Sequence, residues 1–128
     1  NPIANKQHRA IAGLSMGGMH TLMIAANYPD MFNYVGLYSA GVDFTQINME
    51  AIPAYANLDG KLSKLAQSNP KLFWIACGNA DRLMPFNKQL MERMNKDGLK
   101  YTFHESSRGH LWCNWRQYSL LFIPQLFK

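Results

Sequence analysis

The sequence has 128 residues, of which 48% are hydrophobic and 12% aromatic, enough to fill the core of a single domain. The formal net charge is +5, but lysine and arginine are scattered from Lys6 to Arg116 without a basic run, which argues against a nucleic-acid-binding protein. No stretch approaches the roughly 18 apolar residues that a transmembrane helix needs, so no membrane span is predicted.

Short apolar runs alternate with helical patterns along the chain. Strands are predicted near residues 9–14, 34–39, 71–77 and 100–105. Helices are predicted near residues 17–27, 86–97 and 112–122, with a shorter helical piece at 58–66 in the looser region between residues 40 and 70. Strands that alternate with helices favour right-handed crossovers. The predicted fold class is therefore α/β, with a mainly parallel sheet and flanking helices.

The stretch AIAGLSMGGMH, residues 10–20, joins the first strand to the first helix and contains a Gly-x-Ser-x-Gly motif. On such a turn the central residue takes up an unfavourable backbone conformation, and glycine two residues to either side avoids a clash. This interpretation of Gly13 and Gly17 predicts that Ser15 is a nucleophile. The N–H of Met16, at the start of the helix, is the predicted oxyanion donor. The alternative is a tight turn that merely requires small residues.

A nucleophilic serine needs a general base, and the base needs an acid that orients it. The loops that follow parallel strands lie at the same edge of a sheet, so this edge is where the partners are expected. Asp81 follows the third predicted strand, and His110 follows the fourth. The order Ser15, Asp81, His110 is the one expected of an α/β-hydrolase. We therefore predict His110 as the base and Asp81 as the acid.

The other histidines and acids fit these roles less well. His104 alternates with apolar residues inside the last strand, and His20 lies on the first helix, which carries it away from the serine hydroxyl. Asn79 lacks the charge that stabilises an imidazolium. Asp43, after the second strand, is kept as a reserve acid, although it could equally be a turn residue.

Three segments together resemble a known family. GLSMGG, IACGNADRLM and RGHLWCNWRQYSLLFIPQLF are similar to the C-terminal half of the Putative esterase (esterase D-like) family of α/β-hydrolases, and most similar within it to feruloyl and acetyl-xylan esterases. The resemblance spans nearly the whole chain, and its last segment is the most group-specific part. It assigns the nucleophile to Ser15, the acid to Asp81 and the base to His110.

The resemblance implies ester hydrolysis through an acyl-enzyme, without a metal or an organic cofactor. It also implies a carbohydrate-linked ester as substrate and a secreted or periplasmic location. Thioester hydrolysis and acyl transfer on the same fold stay open as alternatives. So does a non-catalytic remnant or interaction module that keeps the fold.

The position of the motif departs from the family pattern, because only 14 residues precede Ser15. We therefore expect residues 1–128 to form a partial domain that lacks its N-terminal half and the second oxyanion donor. The first strand would then be an open sheet edge, which could pair with the missing half or with another copy of the chain.

The segment after the base offers candidates for substrate binding. Leu111 and Trp112 adjoin His110 and could form an acyl or aryl wall, with core packing as the alternative. On the last helix, one stripe is expected to face the core: Trp112, Trp115, Ser119 and Phe122. Cys77 and Cys113 flank the two loops that must meet, and free thiols are favoured over a disulfide because proximity of loops does not secure the required geometry.

Overall fold

The computed structural model describes residues 3–128 and contains one four-stranded sheet. The strands are β1 (Ala10–Leu14), β2 (Tyr34–Tyr38), β3 (Leu72–Gly78) and β4 (Thr102–Ser106). The α-helices are α1 (Met16–Asn27), α2 (Leu58–Ser68), α3 (Met84–Asp97) and α4 (Trp112–Phe122). All neighbouring strands pair in parallel, in the order β1-β2-β3-β4. The predicted α/β class and the four strands are confirmed.

Two apolar layers cover the sheet. In the first, Leu22 of α1, Leu62 of α2 and Met94 of α3 pack in one buried cluster with side chains of the two central strands, including Val35 and Ile75. The second joins α4 to the other face through Tyr38, Trp74, Trp115, Tyr118 and Phe122. Because strands β2 and β3 are covered on both faces, they read in the sequence as continuous apolar runs.

The helices begin and end where local chemistry requires. Pro85 occupies the first turn of α3, where its missing N–H removes no helical bond, and Gly98 ends this helix at φ 80. The helical piece predicted at 58–66 is a full helix, α2, whose buried Leu58, Leu62 and Leu65 pack against the first core layer. This helix is thus the crossover between β2 and β3.

The predicted core stripe on the last helix is only partly correct. Trp115 and Phe122 are buried, but Trp112 is 69% exposed and Ser119 is half-buried. Tyr118 takes the inward position instead. Trp112 packs edge-on against Trp115, with ring centroids 5.1 Å apart, so Trp115 reaches the sheet and Trp112 lies outside it.

The two edge strands differ in chemistry. Strand β4 exposes Thr102 and Glu105, whereas β1 carries only alanine, isoleucine, glycine and leucine. On the sheet face that α4 covers, an open groove of about 400 Å³ lies between α4 and β1. Its lining includes Ala10, Leu14, Tyr38, Phe122 and Ile123. The predicted open edge at the first strand is therefore present within the described residues.

Two further observations concern the whole described chain. Cys77 is buried and Cys113 exposed, and both are free thiols, as expected. Across residues 3–128, no helix combines the length and the apolar character that crossing a bilayer would require.

Candidate active site

Ser15 lies on a strained turn between β1 and α1. Its backbone has φ 55 and ψ −122, in a region that residues other than glycine rarely occupy. Such a conformation costs on the order of 1–3 kcal/mol and persists only where the surroundings enforce it. Here the N–H of Ser15 donates to the carbonyl of Tyr38 at 2.8 Å, and its own carbonyl accepts from the N–H groups of Gly18 and Met19. The turn is therefore held at both ends.

The glycines around the serine do not all act as predicted. A Cβ at Gly13 would overlap the carbonyl oxygen of Gly17 and lie 2.7 Å from the hydroxyl of Thr21, so the predicted clash is present there. A Cβ at Gly17 would meet nothing within 4 Å, so that part of the prediction is wrong. The second close approach belongs to Gly18, where a Cβ would lie 2.5 Å from that of Ala40. The carbonyl of Gly17 faces Gly13, but its Cβ direction points into open space.

Met16 is the first residue of α1. The first N–H groups of a helix have no intrahelical acceptor and carry the positive end of the helix dipole. This N–H is thus suited to stabilise a negatively charged oxygen near Ser15, and its role as oxyanion donor stays a prediction.

Asp81 lies in the loop after β3, and its side chain is 0% exposed. One carboxylate oxygen accepts the N–H of Leu83 at 2.9 Å, and the other lies 2.9 Å from Nδ1 of His110. Burial raises the pKa of the Cys77 thiol to about 12, and the negative charge of the neighbouring Asp81 adds to this effect. The carboxylate of Asp81 therefore lies near a buried, neutral thiol at the end of β3.

The loops that carry the acid and the base are bonded to each other through their backbones. The N–H of Asn79 donates to the carbonyl of Ser106 at 2.8 Å, and that of Ala80 donates to the carbonyl of Arg108 at 2.9 Å. Gly78 makes this approach possible, because any Cβ there would overlap the carbonyl oxygen of Arg108. The pairing of β3 with β4 thus continues into the two loops.

His110 joins the acid to the serine. Its Nδ1 faces Asp81, and its Nε2 lies 2.9 Å from Oγ of Ser15. Since a carboxylate only accepts hydrogen bonds, Nδ1 carries the proton and Nε2 is free to accept the serine hydroxyl. The structure thus brings the three predicted side chains into one hydrogen-bonded chain. Such an arrangement can activate a hydroxyl for attack on a carbonyl carbon.

The rejected candidates lie elsewhere. His104 stacks on Trp74 within the sheet, with ring centroids 5.8 Å apart, and His20 is exposed on α1. Asp43 accepts hydrogen bonds from the backbone and hydroxyl of Thr45, so the reserve acid is a turn residue.

Apolar side chains are exposed beside the histidine and the serine. Leu111 is 47% exposed, Trp112 69% and Met16 71%. The core-packing alternative for Leu111 and Trp112 is therefore wrong. Their role in binding substrate stays a prediction. Within residues 3–128, no group of three histidine, cysteine or acidic side chains is arranged to hold a metal ion.

Sequence reasoning missed three residues around the base. Asn114 contacts the loop that carries His110, Trp115 contacts the His110 ring, and Ser39 accepts a hydrogen bond from Trp115; all three residues are buried. A signal existed for Asn114, because an asparagine within a helix is unfavourable unless its side chain has a hydrogen-bond partner. None existed for Ser39, whose φ of 50 is set by the tertiary structure.

Comparison with known proteins identifies the family. A family model described as Putative esterase matches residues 2–122. The chain is 31% identical over 126 residues to an endo-1,4-beta-xylanase/feruloyl esterase of Xylanibacter ruminicola, covering 98% of this chain and 15% of the relative. It is 27% identical over 146 residues to an acetyl esterase of Caldicellulosiruptor saccharolyticus, covering 91% of this chain and 54% of the relative.

Among solved structures, a ferulic acid esterase superposes with a TM-score of 0.76 at 24% identity, covering 95% of this chain and 52% of that one. At this identity the likeness shows a shared fold. The chain spans about half the length of that structure and of the acetyl esterase, and a smaller share of the xylanase/feruloyl esterase. Because the family model matches nearly every residue, the chain belongs to the Putative esterase family.

Proposed function

We propose that this chain carries the nucleophile, base and acid of a serine carboxylic-ester hydrolase that acts through an acyl-enzyme. The observation that supports this most directly is the unbroken chain of two 2.9 Å contacts from Ser15 through His110 to Asp81. Membership of an esterase family supports the same reaction class.

The proposed reaction has two halves. Nε2 of His110 takes the proton of Ser15 as Oγ attacks the ester carbonyl carbon, and Asp81 stabilises the imidazolium that forms. His110 then protonates the departing alcohol, which leaves an acyl group on Ser15. In the second half, His110 takes a proton from a water molecule that attacks the acyl carbon, and the imidazolium returns the proton to Oγ as the bond between the acyl carbon and Oγ breaks; the acid leaves and Ser15 is restored. No step requires a metal or an organic cofactor.

The negative charge on the ester oxygen needs donors. We assign one to the N–H of Met16 and propose that a second comes from polypeptide outside these residues. Loss of one such donor lowers the rate by about a hundred- to a thousandfold. The isolated chain is therefore expected to be a slow enzyme even with its three side chains in place.

The proposed substrates are feruloyl or acetyl esters of plant cell-wall polysaccharides. The names of the two sequence relatives, a xylanase/feruloyl esterase and an acetyl esterase, support this class. Exposed Leu111 and Trp112 beside the base would form an apolar wall for the acyl or aryl group. Because a polysaccharide does not enter a cell, the protein would act in a secreted or periplasmic location.

We further propose that residues 1–128 form the C-terminal part of an α/β-hydrolase domain, whose N-terminal part pairs with the outer edge of β1. Three observations support this: relatives about twice as long, an edge strand without charges, and an apolar groove of about 400 Å³ beside it. In the isolated chain, a second copy would compete for the same edge.

The test is reaction of the purified chain with a fluorophosphonate, followed by mass spectrometry of the labelled peptide. We expect an adduct on Ser15 that is lost in Ser15→Ala and in His110→Ala. His20→Ala is the matched control and should label like the unmodified chain. Absence of labelling in a folded chain would contradict an assembled site and favour the interaction module. Labelling with hydrolysis of thioesters but not of feruloyl or acetyl esters would overturn the substrate class alone.

A further inference from the structure

The loop that leads into His110 presents four consecutive backbone carbonyls, and each accepts a hydrogen bond. Those of Ser106 and Arg108 are bonded to the acid loop, as described above. The carbonyls of Ser107 and Gly109 accept instead from the first turn of α4. Since Arg108 has a φ of 66, this loop is held in a conformation that it would not keep without these partners.

One side chain satisfies both of the remaining carbonyls. Nδ2 of Asn114 donates to the carbonyl of Ser107 and to that of Gly109, each at 2.9 Å. Asn114 is buried, and its amide nitrogen has two hydrogens, so a single group ties down the residues on either side of Arg108. Gly109 is the residue immediately before His110, so this bond fixes the backbone from which the imidazole projects.

The next residue of α4 contacts the imidazole itself. The ring of Trp115 packs edge-to-face against that of His110, with centroids 4.8 Å apart and an interplanar angle of 87°. Nε1 of Trp115 donates to the hydroxyl of Ser39 at 3.0 Å, in a fully buried contact. The N–H of Ser39 in turn donates to the carbonyl of Ala76 in β3 at 2.7 Å. The indole is thus anchored to the sheet and cannot turn away from the histidine.

We propose that Asn114 and Trp115, with Ser39 as the anchor of the indole, are positioning residues that hold His110 in the orientation in which its Nδ1–H meets Asp81 and its tautomer is kept. Asn114 holds the backbone of the base, and Trp115 holds its ring against rotation. None of the three contacts the reacting atoms. This inference rests on the proposed function, in which His110 is the base.

The physical reason for a second set of contacts is that two hydrogen bonds in a line leave the imidazole free to rock about that line. Packing of an aromatic ring against its side removes this freedom. Misplacement of a catalytic group by about 1 Å can lower a rate by about a hundredfold. The first turn of α4 therefore restrains the rocking of the imidazole that the hydrogen bond to Asp81 alone would allow.

The experiment compares Asn114→Ala, Ser39→Ala and Trp115→Phe with the unmodified chain, using two readouts. The first is the rate at which a fluorophosphonate labels Ser15. The second is the tautomer of His110, read from long-range proton–nitrogen correlations of the ring in chain labelled with ¹⁵N-histidine. Exposed His20 serves as the internal reference for a free imidazole. Gln117→Ala, an exposed amide on the same helix, is the matched control.

We expect each of the three variants to slow labelling by about ten- to a hundredfold and to shift His110 from the Nδ1–H form towards the mixture seen for His20. Gln117→Ala should change neither readout. Variants that label at the original rate and keep the Nδ1–H form would overturn the inference and leave the proposed function intact. A merely stabilising role would lower the unfolding midpoint without moving the tautomer of the folded chain, and that result would also overturn it.

The two proposals can fail separately. If the unmodified chain is not labelled at all but the variants still shift the tautomer, the hydrolase assignment is wrong while the positioning of His110 stands. If Asn114→Ala does not fold, Ser39→Ala decides the outcome, because it removes a single oxygen atom and leaves the side chains of α4 unchanged.

Discussion

The carboxyl end of the sheet and the outer edge of β1 differ in whether their polar groups have partners within the described residues. At the carboxyl end, Ser15, Asp81 and His110 each have a partner within the described residues. At the edge, the backbone of β1 pairs on one side only, and an apolar groove lies open beside it. A hydrogen-bonded arrangement of serine, histidine and aspartate can therefore form where loops meet at the ends of parallel strands, even though the sheet that carries these loops has an unpaired edge.

The largest effect is expected at the carboxyl end of the sheet, when the negative charge of Asp81 is removed. Asp81→Asn keeps the size of the side chain but favours the wrong tautomer of His110, and we expect fluorophosphonate labelling of Ser15 to fall by about 10⁴-fold. Asp43→Asn is the control and should label normally, since Asp43 only closes a turn. Equal losses in both variants would mean that the acid has been assigned to the wrong residue.

The next prediction concerns the close approach that shapes the serine turn. Gly13→Ala places a methyl group against the carbonyl of Gly17 and should lower the free energy of unfolding by about 1–3 kcal/mol or more. Gly17→Ala has open space around the new methyl group and should be neutral or slightly stabilising. Urea unfolding of both variants measures the difference. If the two variants behave alike, the turn is more adaptable than its geometry indicates.

A third prediction tests whether water reaches the Cys77 thiol at the carboxyl end of the sheet. The folded pKa of Cys77 is about 12, above the value of 9.0 expected for an unperturbed thiol. The unfolded chain therefore loses this proton first as the pH rises. The stability that the neutral thiol contributes is complete below pH 9 and is lost between pH 9 and about 12, by about 1.4 kcal/mol for each pH unit.

The measurement is the free energy of unfolding at pH 8 and at pH 10, for the unmodified chain and for Cys77→Ala. Burial also raises the pKa of Tyr118; this largest cause is common to both chains and cancels in their difference, whereas the smaller effect of a charged Cys77 on Tyr118 is present only in the unmodified chain. The variant should lose less stability than the unmodified chain over this interval. Parallel losses would show that water reaches Cys77 in the folded state.

The smallest expected effect concerns the open edge of β1. Ala12→Lys adds a charge to the open edge and should weaken association of two copies through β1 by roughly 0.2–1 kcal/mol, because like charges would lie opposite each other. Thr102→Lys on the exposed edge β4 is the control. Sedimentation velocity over a range of concentrations would report the change. A chain that stays monomeric at every concentration, before and after substitution, would rule out self-pairing at this edge.

Much of the fold was predictable because its signals are local. The apolar runs of β2 and β3 mark strands that are almost completely buried, and the helical spacing of α3 marks a helix that buries one face, so pattern and environment agree. The same logic misjudged Trp112, since a residue in the first turn of α4 can follow the helical spacing and still lie outside the packed region. It also misjudged Gly17, because small size at that position is not demanded by any contact among the described residues.

By itself, the sequence determined the alternation of strands and helices, the parallel sheet and the three residues that follow its strands. It did so because residues after parallel strands are bound to meet at one edge, whatever the details of packing. Only the tertiary structure decided that Gly18 rather than Gly17 makes the second close approach, that Asn114 and Trp115 contact His110 or its loop, and that Ser39 bonds Trp115. These contacts join residues up to 76 positions apart, and their geometry depends on how α1 and α4 lie on the sheet, which no local pattern encodes.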